Sequence, residues 1–147
     1  MPYVEIPAYA KINLSLDVTG KREDGYHELR MIMQTVSLHD TVYLEATGEA
    51  GIRLECGGGA VPADSTNTAW RAAELMFGRY GLAGGLRIRI AKRIPAAAGL
   101  AGGSADAAAV LKGINELFAL GLDQEELKQL GLQIGADVPY CIEGGTR

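Results

Sequence analysis

The stretch Lys92-Arg93-Ile94-Pro95-Ala96-Ala97-Ala98-Gly99-Leu100-Ala101-Gly102-Gly103-Ser104-Ala105-Asp106-Ala107-Ala108 constrains this chain more than any other. It predicts a strand end, then a loop of small residues, then an alanine-rich helix. Small residues let backbone N–H groups approach an anion closely, and a helix N-terminus adds partial positive charge. A phosphate is the natural ligand of such a loop, with a nucleotide phosphate first among the candidates. The alternative is a flexible surface loop leading into a core helix.

Two familiar phosphate motifs do not fit. A P-loop needs Gly-x-x-x-x-Gly-Lys followed by Ser or Thr, and no such pair follows Gly103. The dinucleotide fingerprint Gly-x-Gly-x-x-Gly is absent, and three alanines separate Pro95 from Gly99. Ser104 and Asp106 fall in the expected first helical turn, where Ser can cap and Asp complements the helix dipole. A serine there can equally hold a magnesium ion beside a phosphate.

The chain has 147 residues, one domain's worth or a piece of something larger. Its net charge of −4 argues against nonspecific binding to nucleic acid or to an anionic membrane. The two cysteines, Cys56 and Cys141, lie in strand-like apolar stretches and match no metal-ligand spacing. They read as buried thiols in a reducing compartment. No signal peptide and no apolar run long enough to span a bilayer is present, so a cytoplasmic location is expected.

Ile12, Leu14, Leu16 and Val18 alternate with Asn13, Ser15 and Asp17, the pattern of a half-buried strand with a polar face. Residues 21–25 make a turn by composition. Residues 29–38 and 41–47 predict two further strands, separated by a turn at His39-Asp40. Ile52, Leu54 and Cys56 alternate in a short strand ending at a triple glycine. Strands in succession without helices point to an antiparallel or mixed sheet.

From 67 to 80 the apolar residues Ala69, Ala72, Ala73, Met76, Phe77 and Tyr80 keep helical spacing, with Gly81 as the stop. Leu86, Ile88 and Ile90 alternate with Arg87 and Arg89, a strand with a basic outer face. The helix after the glycine-rich loop is expected to bury Ala108, Leu111, Ile114 and Phe118 or their neighbours. Asp123, with Glu126 three residues on, opens a further helix carrying Leu127, Leu130 and Ile134. Residues 138–142 return to strand character. The expected class is α+β. Gly144-Gly145-Thr146-Arg147 follows directly and looks like a turn into something further, and an uncovered apolar face there would promote self-association.

Several side chains could carry chemistry. An isolated lysine is usually a solvated surface charge, but Lys11 sits between Ala10 and Ile12 in a stretch that otherwise reads as buried, which adds a paired or functional lysine as the alternative. Asp137 lies in the apolar run Ile134-Gly135-Ala136-Asp137-Val138-Pro139, at an expected helix-to-strand junction. A buried carboxylate needs a partner, so an Asp–Lys pair is one solution; a turn-capping role for Asp137 is the other. Asp24-Gly25-Tyr26-His27 offers a ring to stack on and a hydrogen-bonding edge, as a planar heterocycle would use, or else a packed Tyr and a solvated His. His39 reads as solvent-exposed. No serine occupies a Gly-x-Ser-x-Gly elbow, and two histidines without a carboxylate and cysteine cluster make no zinc site.

Taken together, Ala8-Tyr9-Ala10-Lys11-Ile12-Asn13-Leu14, Asp24-Gly25-Tyr26-His27, the run from Pro95 to Ala108, Ile134-Gly135-Ala136-Asp137-Val138-Pro139 and Gly144-Gly145-Thr146 resemble the 4-diphosphocytidyl-2-C-methyl-D-erythritol kinases, within the GHMP kinase superfamily. The resemblance covers essentially the whole chain. It implies an α+β domain with the fold of the second domain of ribosomal protein S5, a mixed or antiparallel sheet packed against helices. It further implies transfer of the γ-phosphoryl group of ATP to the 2-hydroxyl of a cytidine-diphosphate-linked methylerythritol, a step of the non-mevalonate route to isoprenoids.

By the resemblance, Asp137 would deprotonate the attacking hydroxyl, and Lys11 would keep Asp137 ionised and stabilise the phosphoryl oxygens. Residues 99–104 would cradle the ATP phosphates, within an ATP-binding run of Pro95, Ala96, Ala97, Ala98, Gly99, Leu100, Ala101, Gly102, Gly103 and Ser104. Ser104 would lie near Mg²⁺. Asn67 and Lys92 would meet the nucleoside end of ATP. Tyr26 and His27 would hold the cytosine, and Asn13 the polyol or phosphate. Ala105 stands where many members of the family carry a second serine. Family members also continue past the Gly-Gly-Thr turn into a second domain. Residues 1–147 thus read as the N-terminal ATP-binding and catalytic domain, expected to turn over weakly by itself or to act as a non-catalytic nucleotide-binding or folding fragment.

Overall fold

Asp40, Val42 and Leu44 point to one side of a strand and Thr41, Tyr43 and Glu45 to the other, and this period of two organises the sheet. The computed structural model describes residues 3–9, 39–57, 67–93 and 102–143. Its elements run β1 (Tyr3–Tyr9), β2 (His39–Thr47), β3 (Gly51–Gly57), α1 (Thr68–Tyr80), β4 (Gly85–Ala91), α2 (Gly102–Leu117), α3 (Gln124–Ile134) and α4 (Val138–Glu143).

The four strands lie in the order β1-β2-β4-β3. β1 pairs antiparallel with β2, Ile6 opposite Val42. β2 pairs antiparallel with β4, Leu44 opposite Ile88. β3 runs parallel to β4, Leu54 beside Ile88, because α1 carries the chain back between them. The sheet is therefore mixed and the class α+β, as expected. The expected strands at 11–18 and 29–38 lie outside the described residues.

One face of the sheet is apolar. Val42, Leu44, Leu86 and Ile88 are fully buried there, in one hydrophobic core with Val110, Leu111 and Ile114 of α2. The opposite face carries Arg87 and Arg89 as the alternation predicts, each near a glutamate on a neighbouring strand (Glu45 at 3.9 Å and Glu55 at 3.8 Å). Such exposed pairs contribute little. α2 lies close to the strands because of Gly113: a Cβ there would run into Leu44 Cδ1 and come within 3.4 Å of Ile6.

Helix ends follow local chemistry. Gly81 closes α1 in the left-handed conformation (φ 58°), its N–H donating to Phe77 O. Asp123 and Glu126 make a reciprocal capping box at the start of α3.

Several expectations are corrected. Residues 138–143 form a short helix, not a strand; Pro139 sits in its first turn, where a missing N–H costs nothing, and the Cys141 N–H donates to Asp137 O. A short apolar run does not by itself separate the two conformations. His39 and Asp40 open β2 instead of forming a turn. His39 is half-buried against the Tyr9 ring, centroids 5.0 Å apart. Cys56 and Cys141 are half-buried, and Cys141 lies on α4. Phe118, one residue past α2, is likewise only half-buried and meets Phe77 edge-on.

Candidate functional site

The ends of two helices meet beside the glycine-rich segment. Asn67 caps α1 with extended backbone geometry, its side-chain oxygen accepting from the Ala69 N–H at 2.7 Å. Thr68, the first residue of α1, donates its hydroxyl to Gly103 O at 2.7 Å. Gly103 belongs to the first turn of α2, and a Cβ added to it would come within 3.1 Å of Thr68 Oγ1. Two helix N-termini, each a positive dipole end, are thus held side by side.

Lys92 follows directly on β4. Its Nζ donates to Asp40 Oδ2 at 2.8 Å and to Asp106 Oδ2 at 3.1 Å. The Arg93 N–H donates to the other Asp40 oxygen at 2.6 Å. The three side chains are 9%, 0% and 4% exposed for Lys92, Asp40 and Asp106.

Burial acts on both partners. It pushes the Asp106 carboxyl up to about 8, reinforced by a hydrogen bond to Asp40 and that residue's negative charge, and the nearby ammonium only partly offsets this. Burial alone would lower Lys92, but its hydrogen bonds to both aspartates and their charge outweigh that and raise it above its ordinary value. Cys56 on β3 is raised by the same burial, with Lys92 opposing. Asp106 Oδ1 has no hydrogen-bond partner among the described residues.

Of the expected site residues, α2 therefore gathers Asn67, through Thr68, together with Lys92, Gly103 and Ser104. Ser104 is half-buried in the first turn of α2, which Gly102 begins. Asp106 falls just past that turn, and its partner is a lysine and not the dipole alone. Asp137 lies at the turn between α3 and α4, with an exposed side chain, so the burial expected of it is not found. Lys11, Asn13, Tyr26, His27 and the run Pro95, Ala96, Ala97, Ala98, Gly99, Leu100 and Ala101 lie outside the described residues.

Sequence reasoning missed Asp40. The signal was its place on the inward side of β2, in step with Val42 and Leu44, where a carboxylate demands a partner. Among the described residues no group of three or more His, Cys, Asp or Glu could hold a metal ion, and no helix is long and apolar enough to cross a membrane.

Comparison with known proteins places this geometry. The family model described as GHMP kinases N terminal domain matches residues 67–145. A 4-diphosphocytidyl-2-C-methyl-D-erythritol kinase of Acetivibrio thermocellus is 60% identical over 146 residues, covering 99% of this chain and 51% of that protein. One of Clostridium beijerinckii is 54% identical over 143 residues, covering 97% and 51%. The chain spans about half the length of the curated relatives it matches. A crystal structure of 4-(cytidine 5'-diphospho)-2C-methyl-D-erythritol kinase superposes with a TM-score of 0.58 at 30% identity, covering 97% of this chain and 47% of that one. A homoserine kinase from Cytophaga hutchinsonii superposes with a TM-score of 0.69 at 19% identity, covering 96% and 42%, a likeness of fold alone.

Proposed function

This chain belongs to the GHMP kinase family, and on that premise we propose that residues 1–147 are the ATP-binding and catalytic N-terminal domain of a 4-diphosphocytidyl-2-C-methyl-D-erythritol kinase. The reaction is transfer of the ATP γ-phosphoryl group to the substrate's 2-hydroxyl. The observation that carries the nucleotide part is the Thr68–Gly103 contact, which holds two helix N-termini together at the end of a glycine-rich segment. Phosphate oxygens are the ligands such a convergence favours.

In this reading residues 99–104 cradle the phosphates, while Asn67 and Lys92 lie at the nucleoside end. Asp137 takes the proton of the attacking hydroxyl, and its exposure leaves it accessible to a substrate. Lys11 supports the anionic form of Asp137. Tyr26 and His27 hold the cytosine, and Asn13 the polyol or phosphate. Magnesium, carried on the nucleotide, would supply neutralisation of phosphate charge. The Ser104 hydroxyl suits it, because this ion takes few protein ligands and keeps its waters and phosphates. The chain's work is then positioning and charge stabilisation. Neither nucleic acid nor membrane is among the proposed partners, and the location is cytoplasmic.

Phosphorus NMR of the chain with Mg-ATP and the cytidine-diphospho-methylerythritol substrate tests this. A new phosphomonoester signal, lost in Asp137→Ala, is the expected result. ATP that binds without product identifies a nucleotide-binding domain without catalysis. ATP that does not bind overturns the reading.

A further inference from the structure

We propose that the outer face of the sheet carries a second small-molecule site, a cleft that takes the zwitterion of an aromatic amino acid.

Strand register builds the cleft. Alternation turns Tyr43 and Glu45 away from the helices, on the opposite side of β2 from Asp40 and its partner Lys92. The cleft and the nucleotide end therefore lie on different faces of the sheet. Tyr3 stands opposite Glu45 and Glu45 opposite Arg87, while Tyr43 stands opposite Arg89. These five residues line a space of about 210 Å³. That is below the roughly 300 Å³ at which drug-sized sites begin, and suits one small ring with its substituents.

The walls divide by chemistry. Tyr3 and Tyr43 offer rings on the β1 and β2 side, and the Arg89 guanidinium carbon lies 5.9 Å from the Tyr43 centroid. Glu45 is 3.9 Å from Arg87 and Glu55 is 3.8 Å from Arg89, both longer than a hydrogen bond. The guanidinium donors and the Glu45 carboxylate thus remain able to bond a ligand. Two arginines and two glutamates cancel in charge. The flanking Arg53, beside Arg87, and Glu5, opposite Tyr43, cancel again. A net anion is repelled by Glu45 and a net cation by the arginines. A zwitterion avoids both: its carboxylate goes to Arg87 and Arg89, its ammonium to Glu45 and its ring to the tyrosines.

Amide NMR of the isotope-labelled chain titrated with L-phenylalanine tests this. The expected result is saturable shifts centred on residues 3, 43–45 and 87–89, with a dissociation constant of about 1 mM or below. Three analogues each lack one feature: hydrocinnamate the ammonium, phenethylamine the carboxylate and cyclohexylalanine the aromatic ring. The first two should bind about tenfold more weakly and the third about threefold. Glu45→Gln should weaken L-phenylalanine about fivefold and leave hydrocinnamate unchanged. Arg87→Gln should weaken L-phenylalanine by a similar factor and leave phenethylamine unchanged. The Glu45 and Arg87 side chains are 40% and 44% exposed, so neither substitution disturbs the core.

Shifts that stay linear with concentration would overturn the site, as would equal affinity for all four compounds or variants that bind like the unsubstituted chain. Shifts centred on Asn67 and Gly103 would overturn it too, because the ligand would then be entering the nucleotide end.

Discussion

Lys92 Nζ lies 3.1 Å from Asp106 Oδ2, fourteen positions further along the chain, and 2.8 Å from Asp40 Oδ2, fifty-two positions back. One cation thereby joins β2, the end of β4 and the early turns of α2 behind side chains that are at most 9% exposed. The net worth of such an intact cluster is modest, because desolvation offsets much of the attraction. Breaking it is another matter.

Lys92→Met leaves two carboxyl groups buried with no cation between them. The expected cost is about 3–5 kcal/mol of folding stability. Urea denaturation monitored by circular dichroism checks it. A loss below about 1 kcal/mol, the level of an exposed ion pair, would mean the cluster is well solvated in solution.

Stability should fall as pH rises toward 8. Folded Asp106 keeps its proton up to about 8, while the unfolded chain releases it near the ordinary value of 3.8. Between these values the folded state binds the extra proton, so raising the pH withdraws stability, by at most about 1.4 kcal/mol per pH unit. Asp106→Asn has no proton to lose there. Its melting temperature should vary less between about pH 5 and about pH 8, and its advantage should widen toward the upper end. Parallel melting curves for the two proteins across that range would show that Asp106 titrates alike folded and unfolded.

Gly113→Ala should destabilise the chain by about 1–3 kcal/mol, the usual cost of overpacking. The new methyl would meet Leu44 in the fully buried layer between α2 and the sheet. Pairing it with Leu44→Val should recover part of the loss, and additive losses in guanidinium melts would point away from a direct clash.

Asp123→Ala removes one half of the capping box at the start of α3 and should cost about 1 kcal/mol. Amide hydrogen exchange offers the sharper measurement: protection of the Glu126 N–H, which donates to Asp123 at 2.8 Å, should drop while α2 stays protected.

What could be read from the sequence was what neighbours in sequence decide. The alternation of Leu86, Ile88 and Ile90 with two arginines marked β4, and Asn67 with Gly81 bracketed α1. Asp123 and Glu126 marked α3, since a cap is local chemistry. Asp40 escaped because its partners Lys92 and Arg93 lie 52 and 53 positions away, and its neighbour His39 suggested a turn by composition. Val138–Glu143 escaped because six residues with an apolar run suit either conformation, and packing against α3 and α2 selects the helix. At the candidate site, the motif around Lys92 and Ser104 singled them out as candidates, whereas the pairing of Lys92 with Asp106 needed the fold.

The strand order carries a consequence for how the chain assembles. β2 and β3 are consecutive among the described strands but are not neighbours, and the space between them is filled by β4, the last of the described strands. During synthesis, β2 and β3 each wait with a ladder of unpaired N–H and C=O groups until residues 85–91 emerge and α1 has crossed. Long-range closure of this kind is slow, and open strand edges recruit strands from other chains. The vulnerable moment in the life of this domain is the interval before β4 slots in, when aggregation competes with folding.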